Sequence, residues 1–242
     1  MPLRPAVRQV RFVRVFVKIC GITNEDDALL AVAMGADALG FNFAPGSRRQ
    51  VSLDAARDIV RRLPQGTVTV GVFRDERPER VVEIVSKVGL TGAQLHGREP
   101  ISEVRWVRQR ATFVIQAFAA GDPMLASAAN GPADIILVDS PDPGSGWLFD
   151  WKLAEGAPGG IKLMVAGGLT ADNVGDAIRR IRPWGVDVAT GVESSPGRKD
   201  PRKLRRFIQA AHAVGEDVAD DERPPAPVDG PYDWEFDELA ES

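Results

Sequence analysis

The sequence predicts an α/β fold, a single (β/α)8 barrel of the TIM type, and three observations carry the prediction. Eight short β-branched runs alternate with helical patterns along most of the chain. Its 242 residues match the size of one such barrel, for which about 250 is typical. Glycines recur after several of the strands, at Gly21, Gly46, Gly97, Gly167, Gly168 and Gly191. A doubly wound sheet shows the same alternation but concentrates its glycines in one loop near the N-terminus. The recurrence favours the barrel.

The strands are expected at 13–19, 36–43, 68–73, 92–96, 112–118, 134–139, 162–167 and 186–191. Each is rich in Val, Ile, Leu or Phe and bounded by turn residues. Helices are expected at 24–34, 52–63, 78–88, 99–110, 121–130, 171–181 and 200–213. The first opens on Asn24 with acidic residues in its first turn and stops at Gly35. The second has Ser52 as its cap, apolar positions at 53, 56, 59, 60 and 63, and Pro64-Gln65-Gly66 beyond its end. This organisation reads as a short basic N-terminal extension over 1–13, a catalytic barrel over 14–213, and a tail over 214–242. The tail is acidic and proline-rich and is expected to be disordered, although Tyr232, Trp234 and Phe236 leave open a docking segment for a partner.

Composition narrows the function classes. A net charge of −4, with no Lys/Arg block among aromatics, excludes a dedicated nucleic-acid binder. One cysteine cannot form an internal disulfide, which suits a reducing, cytoplasmic setting. Two distant histidines, His96 and His212, do not make a zinc site with it. The N-terminus lacks the apolar core of a signal peptide. No run reaches the roughly 18 apolar residues of a membrane helix, so no membrane partner is expected.

Reactive groups in such barrels sit at the C-terminal ends of strands. Cys20 ends the first strand, where a lone cysteine is commonly an apolar filler. Alternation puts Val15, Val17 and Ile19 on one face and Phe16, Lys18 and Cys20 on the other. The apolar face suits the helices, which sends Lys18 and Cys20 inward. A cation one pleat below a thiol favours its ionisation, and a filler gives no reason for that lysine. Asp139 ends the sixth strand on the face of Ile135 and Leu137. A carboxyl group on apolar supports is held back from ionising, as suits a general acid; the plain alternative is a loop aspartate. Arg48 and Arg49 lie in the loop after strand two, as solvated residues or as a clamp for a carboxylate or phosphate. Gly167, Gly168 and Gly191 follow strands seven and eight, where barrels of this type bind phosphate through backbone N–H groups. Asp187 is expected inward on strand eight, the neighbour of strand one after closure, and hence in a buried pair with Lys18. The set describes acid/base isomerase chemistry on a phosphorylated small molecule, without metal or organic cofactor.

The segments "KICGIT" at 18–23, "GADALGFNFAPGSRRQVS" at 35–52, "QLHG" at 94–97, "VDS" at 138–140, "GSGWLFDW" at 144–151, "AGGL" at 166–169 and "VDVATGVESSPGRKD" at 186–200 closely resemble the phosphoribosylanthranilate isomerase family of tryptophan biosynthesis. The resemblance implies no cofactor and an Amadori rearrangement of N-(5-phosphoribosyl)anthranilate. It places the general base on Cys20, the general acid on Asp139, and the anthranilate carboxylate on Arg49. Phosphate falls on Gly167, Gly168 and Gly191, and Gln94 and His96 match positions lining the pocket. Departures include Pro143 and Trp147 in the loop after strand six, and Gln116 where a lysine is frequent. Two rivals stand beside this reading. One is a histidine-pathway or dual-substrate isomerase, whose strand-one residue is an aspartate; the other is a non-catalytic binding protein on the same barrel. A monomer and a homodimer are both compatible with the sequence.

Overall fold

Eight parallel strands close into a barrel in the order of the chain, β1 beside β2 and finally β8 beside β1. They are β1 (Phe16–Ile19), β2 (Ala38–Asn42), β3 (Val68–Phe73), β4 (Gly92–Leu95), β5 (Val114–Ala119), β6 (Ile135–Asp139), β7 (Lys162–Val165) and β8 (Gly185–Val188). The coordinates are a computed structural model, and the structure describes residues 14–128, 130–140 and 161–221. The extension over 1–13, Pro143 and Trp147, and the aromatic part of the tail lie outside the described residues.

Side-chain parity organises the layers. Val15, Val17, Ile19, Leu39, Phe41, Ile136, Val138, Val165, Val186 and Val188 pack outward with the helices in one apolar layer. Val70, Ile115, Ala117, Ile135, Leu137, Met164 and Ala166 fill the barrel itself, with Phe16, Val68, Phe113 and Trp184 at its N-terminal end. Phe16 stacks on Trp184 with ring centroids 4.5 Å apart, closing that floor. The C-terminal end is polar. Gln116 falls between Ile115 and Ala117, on the outward parity, so its substitution for a lysine does not touch the barrel interior.

The helices are α1 (Glu25–Ala33), α2 (Leu53–Arg62), α3 (Pro78–Val88), α4 (Ile101–Arg108), α5 (Leu125–Ala128), α6 (Val174–Ile181) and α7 (Pro201–Asp221). Asn24 and Ser52 cap α1 and α2 through hydrogen bonds from the Asp27 and Ala55 amides. Two helices and one strand pair depart from expectation. Helix α5 keeps one turn of the expected 121–130, because Pro123 restricts its approach and Asp122 instead accepts the Met124 amide in a side-chain turn. Helix α7 continues to Asp221, past the boundary set at 213, since no proline interrupts it before Pro224. A small antiparallel pair, β9 (Glu193–Ser195) with β10 (Arg198–Lys199), stands after β8 where no strands were expected.

Two ties shape the mouth. The Glu99 carboxylate accepts the amides of Asp75 and Gly97, at 2.9 Å each, so the loops after β3 and β4 share one acceptor. Lys18 and Asp187 stand opposite each other in the β1–β8 register, with Nζ and Oδ1 2.8 Å apart. The expected pair therefore forms. Lys18 is fully buried, and Asp187 is the chief partner that makes its charge tolerable there. Asp187→Asn should destabilise the fold by about 3–5 kcal/mol in urea unfolding, because it strands the lysine charge. The double substitution Lys18→Met with Asp187→Leu should cost far less, since it removes both charges together.

Candidate active site

The eight residues to which the sequence assigns a catalytic or substrate-binding role line one cavity of about 430 Å³ at the C-terminal mouth: Cys20, Arg49, Gln94, His96, Asp139, Gly167, Gly168 and Gly191. Cys20 follows β1 directly, its amide donating to the Val188 carbonyl at 2.8 Å, which carries the β1–β8 seam one residue further. Gly40 on β2 makes room beside it. A Cβ there would come within 2.9 Å of the Cys20 sulfur and 3.3 Å of Lys18 Cε.

The electrostatics of the thiol differ from expectation. Burial pushes Cys20 above the ordinary thiol range; Lys18 pulls it down, Asp187 pushes it up, and Lys199 pulls it down again. Burial wins, in part because Lys18 brings its own counter-charge with it. The lysine below the cysteine is first of all one half of an ion pair.

Asp139 lies on the opposite wall at the end of β6, buried, with Oδ1 accepting the Ser140 amide at 2.7 Å. Its other oxygen lies 3.4 Å from His96 Nε2. His96 Nδ1 in turn lies 2.9 Å from Gln94 Nε2, so the two contacts fix the imidazole plane between the amide and the acid. Gln94 and His96 are two apart on β4 and its exit, as inward parity requires.

The glycines after β7 and β8 are required by space. Gly167 has φ +87° and Gly168 φ +66°, and a Cβ on Gly167 would meet the Ser140 amide nitrogen at 2.5 Å. One on Gly191 would meet the Leu169 carbonyl oxygen at 1.8 Å. Asn173 pins this rim, accepting the Thr170 amide at 2.8 Å and donating to the Gly168 carbonyl at 3.0 Å. The result is a glycine-rich wall of two loops in van der Waals contact, with backbone exposed to the cavity.

Arg49 is held more tightly than a loop arginine would be. Its Nε and Nη2 donate to the two Glu193 oxygens, each at 2.8 Å. Lys199 joins the same carboxylate at 3.1 Å and reaches the Cys20 carbonyl at 2.6 Å. Burial opposes the Glu193 charge, yet Arg49 and Lys199 hold its carboxyl below the ordinary range. Burial in turn pulls Lys199 down. Glu193 and Lys199 were not singled out from the sequence; both stand in "VESSPGRKD", whose acid and base at that spacing were the available signal. The cavity also takes Asn42, Arg74 and Thr190, for which the sequence carried no signal beyond a position near a strand end.

The family model of N-(5'-phosphoribosyl)anthranilate isomerase matches residues 17–210. A curated relative of that name from Desulforudis audaxviator is 48% identical over 202 residues, covering 81% of this chain and 97% of its own. The crystal structure of phosphoribosyl anthranilate isomerase from Thermus thermophilus superposes with a TM-score of 0.77 at 42% identity, covering 81% of this chain and 98% of that one. Another solved phosphoribosyl anthranilate isomerase, in complex with reduced 1-(o-carboxyphenylamino)-1-deoxyribulose 5-phosphate, matches with a TM-score of 0.72 and 41% identity over the same shares of both chains. Fold, cavity and sequence agree, and the chain belongs to the N-(5'-phosphoribosyl)anthranilate isomerase family.

Proposed function

We propose that this chain converts N-(5-phosphoribosyl)anthranilate to 1-(2-carboxyphenylamino)-1-deoxyribulose 5-phosphate, with Cys20 as general base and Asp139 as general acid. The observation that carries the reading is their placement: one thiol and one carboxyl group on different walls of one cavity, with a glycine-rich wall and an arginine beside them. The phosphate rests on the loops of Gly167, Gly168 and Gly191, whose missing side chains let backbone N–H groups approach it. The anthranilate carboxylate meets Arg49. Gln94 and His96 line the wall toward Asp139 and orient the acid.

In this mechanism Asp139 gives its proton to the ring oxygen, and the ring opens to an iminium. The Cys20 thiolate takes the proton from the adjacent carbon, leaving an enolamine, which tautomerises to the ketone. Each transfer needs a positioned group and no redox partner. The thiol at strand one separates this chain from the rivals that use an aspartate there. A biosynthetic enzyme of this kind belongs in the cytoplasm, in keeping with described helices too short or too polar to cross a membrane.

Two measurements test the assignment. Cys20→Ala and Asp139→Asn should each lower turnover by roughly 10²–10⁴-fold, read from loss of the fluorescence of freshly made phosphoribosylanthranilate. Their melting temperatures should stay close to wild type, since neither side chain is part of the apolar layers. Near-normal turnover in either variant refutes its role.

The pH profile gives the second test. The base works as the thiolate, and burial holds the free thiol above its ordinary range. The rate at which iodoacetamide alkylates Cys20, the single cysteine of the chain, should therefore keep climbing through the range where free thiols ionise and bend only beyond it. A rate that flattens near neutrality contradicts the resting thiol described here.

A further inference from the structure

Arg49 is fixed at both ends of its side chain. Its stem crosses Gly21, where a Cβ would meet Arg49 Cδ at 2.4 Å, so the glycine provides the groove in which the arginine lies. At the head, Nε and Nη2 fork onto Glu193, and Nη2 also donates to Thr190 Oγ1 at 2.9 Å. These contacts take the Nε hydrogen and both hydrogens of Nη2. Among the described residues they leave the Nη1 edge for a ligand in the cavity. Glu193 is 5% exposed and does not itself line that cavity. It is anchored behind the arginine by the Lys199 ammonium at 3.1 Å and the Gly197 amide at 3.3 Å.

We infer that Glu193 is a positioning residue of the carboxylate subsite: its two oxygens set the plane of the Arg49 guanidinium so that the Nη1 edge faces the carboxylate of the substrate. The inference rests on the isomerase reading above and deepens it. A flexible arginine would attract the same anion but present its donors in many orientations; a fork held by a buried carboxylate presents them in one. Two cations and one anion meet here, Arg49, Lys199 and Glu193, so the cluster keeps a net positive charge toward an anionic ligand.

That balance gives the test a sign. Glu193→Gln preserves the shape but removes a negative charge from behind the clamp. If Arg49 acted only by Coulomb attraction, the variant would bind substrate more tightly. Positioning predicts the reverse, because glutamine offers one acceptor and turns an N–H toward the guanidinium.

Steady-state kinetics of the full chain, as wild type, Glu193→Gln, Arg49→Ala and the double variant, decide it. Glu193→Gln should raise KM by about tenfold with kcat within about twofold, and should add less than about twofold in the Arg49→Ala background. An unchanged or lowered KM overturns the inference, as does a penalty that persists in full without Arg49. Glu193→Asp runs the same cycle should the glutamine variant fail to fold; it keeps the charge facing Lys199 but is too short to reach both arginine nitrogens, and it should raise KM only when Arg49 is present. A wild-type chain without turnover on phosphoribosylanthranilate would overturn the isomerase reading and this inference with it. An active wild type with an additive cycle overturns this inference alone.

Discussion

The ion pair between Lys18 and Asp187 is the constraint around which the rest is arranged. It spans the seam where the first strand meets the last, and it lies inside the barrel, where an unpaired charge is intolerable. Pairing the two residues fixes the register of β1 against β8, and that register decides what stands one pleat above. Cys20 therefore reaches the cavity from β1, while the loop after β8 begins beside it with Ala189, Thr190 and Gly191. A slip of one residue would send the cysteine among the helices and the valines of β1 into the mouth.

The same pair explains why the thiol is not poised as an anion at rest. Asp187 cancels part of the field that Lys18 sets at the thiol, and burial, the largest influence on the cysteine, outweighs the rest. The second lysine, Lys199, is likewise occupied, by Glu193 and the Cys20 carbonyl. Lys18 and Lys199 are thus each compensated inside the protein, whereas Arg49 keeps its Nη1 edge for the cavity, which Arg48 and Arg74 also line. Charge in this site is directed by hydrogen-bond geometry more than by amount.

Most of this architecture was legible in the chain because it rests on a period of two. Eight strands, their inward and outward faces, the Lys18–Asp187 contact and the shared cavity all follow from alternation plus closure. What was illegible has other causes. The β9–β10 pair is too short to carry a period, and its Gly197 reads as an ordinary turn residue. The partner of Arg49 lies 144 residues away in sequence, on a loop whose return to the mouth depends on barrel closure. The thiol departs from expectation because the cation below it was weighed without its own expected partner, Asp187, and because the depth of burial shows only once the seam is formed. Helix α5 shrank because one proline and one side-chain turn outweighed an alanine-rich run.

Glu99 carries a consequence beyond the present chemistry. Since one carboxylate holds the amides of Asp75 and Gly97 together, the two rim segments are mechanically one piece. Lengthening either by itself would strip an amide from the other. Any remodelling of this side of the entrance, by drift or by grafting, must exchange the segments as a unit, whereas the neighbouring arginine loop after β2 answers to a different carboxylate, Glu193, and is coupled to the segment after β8.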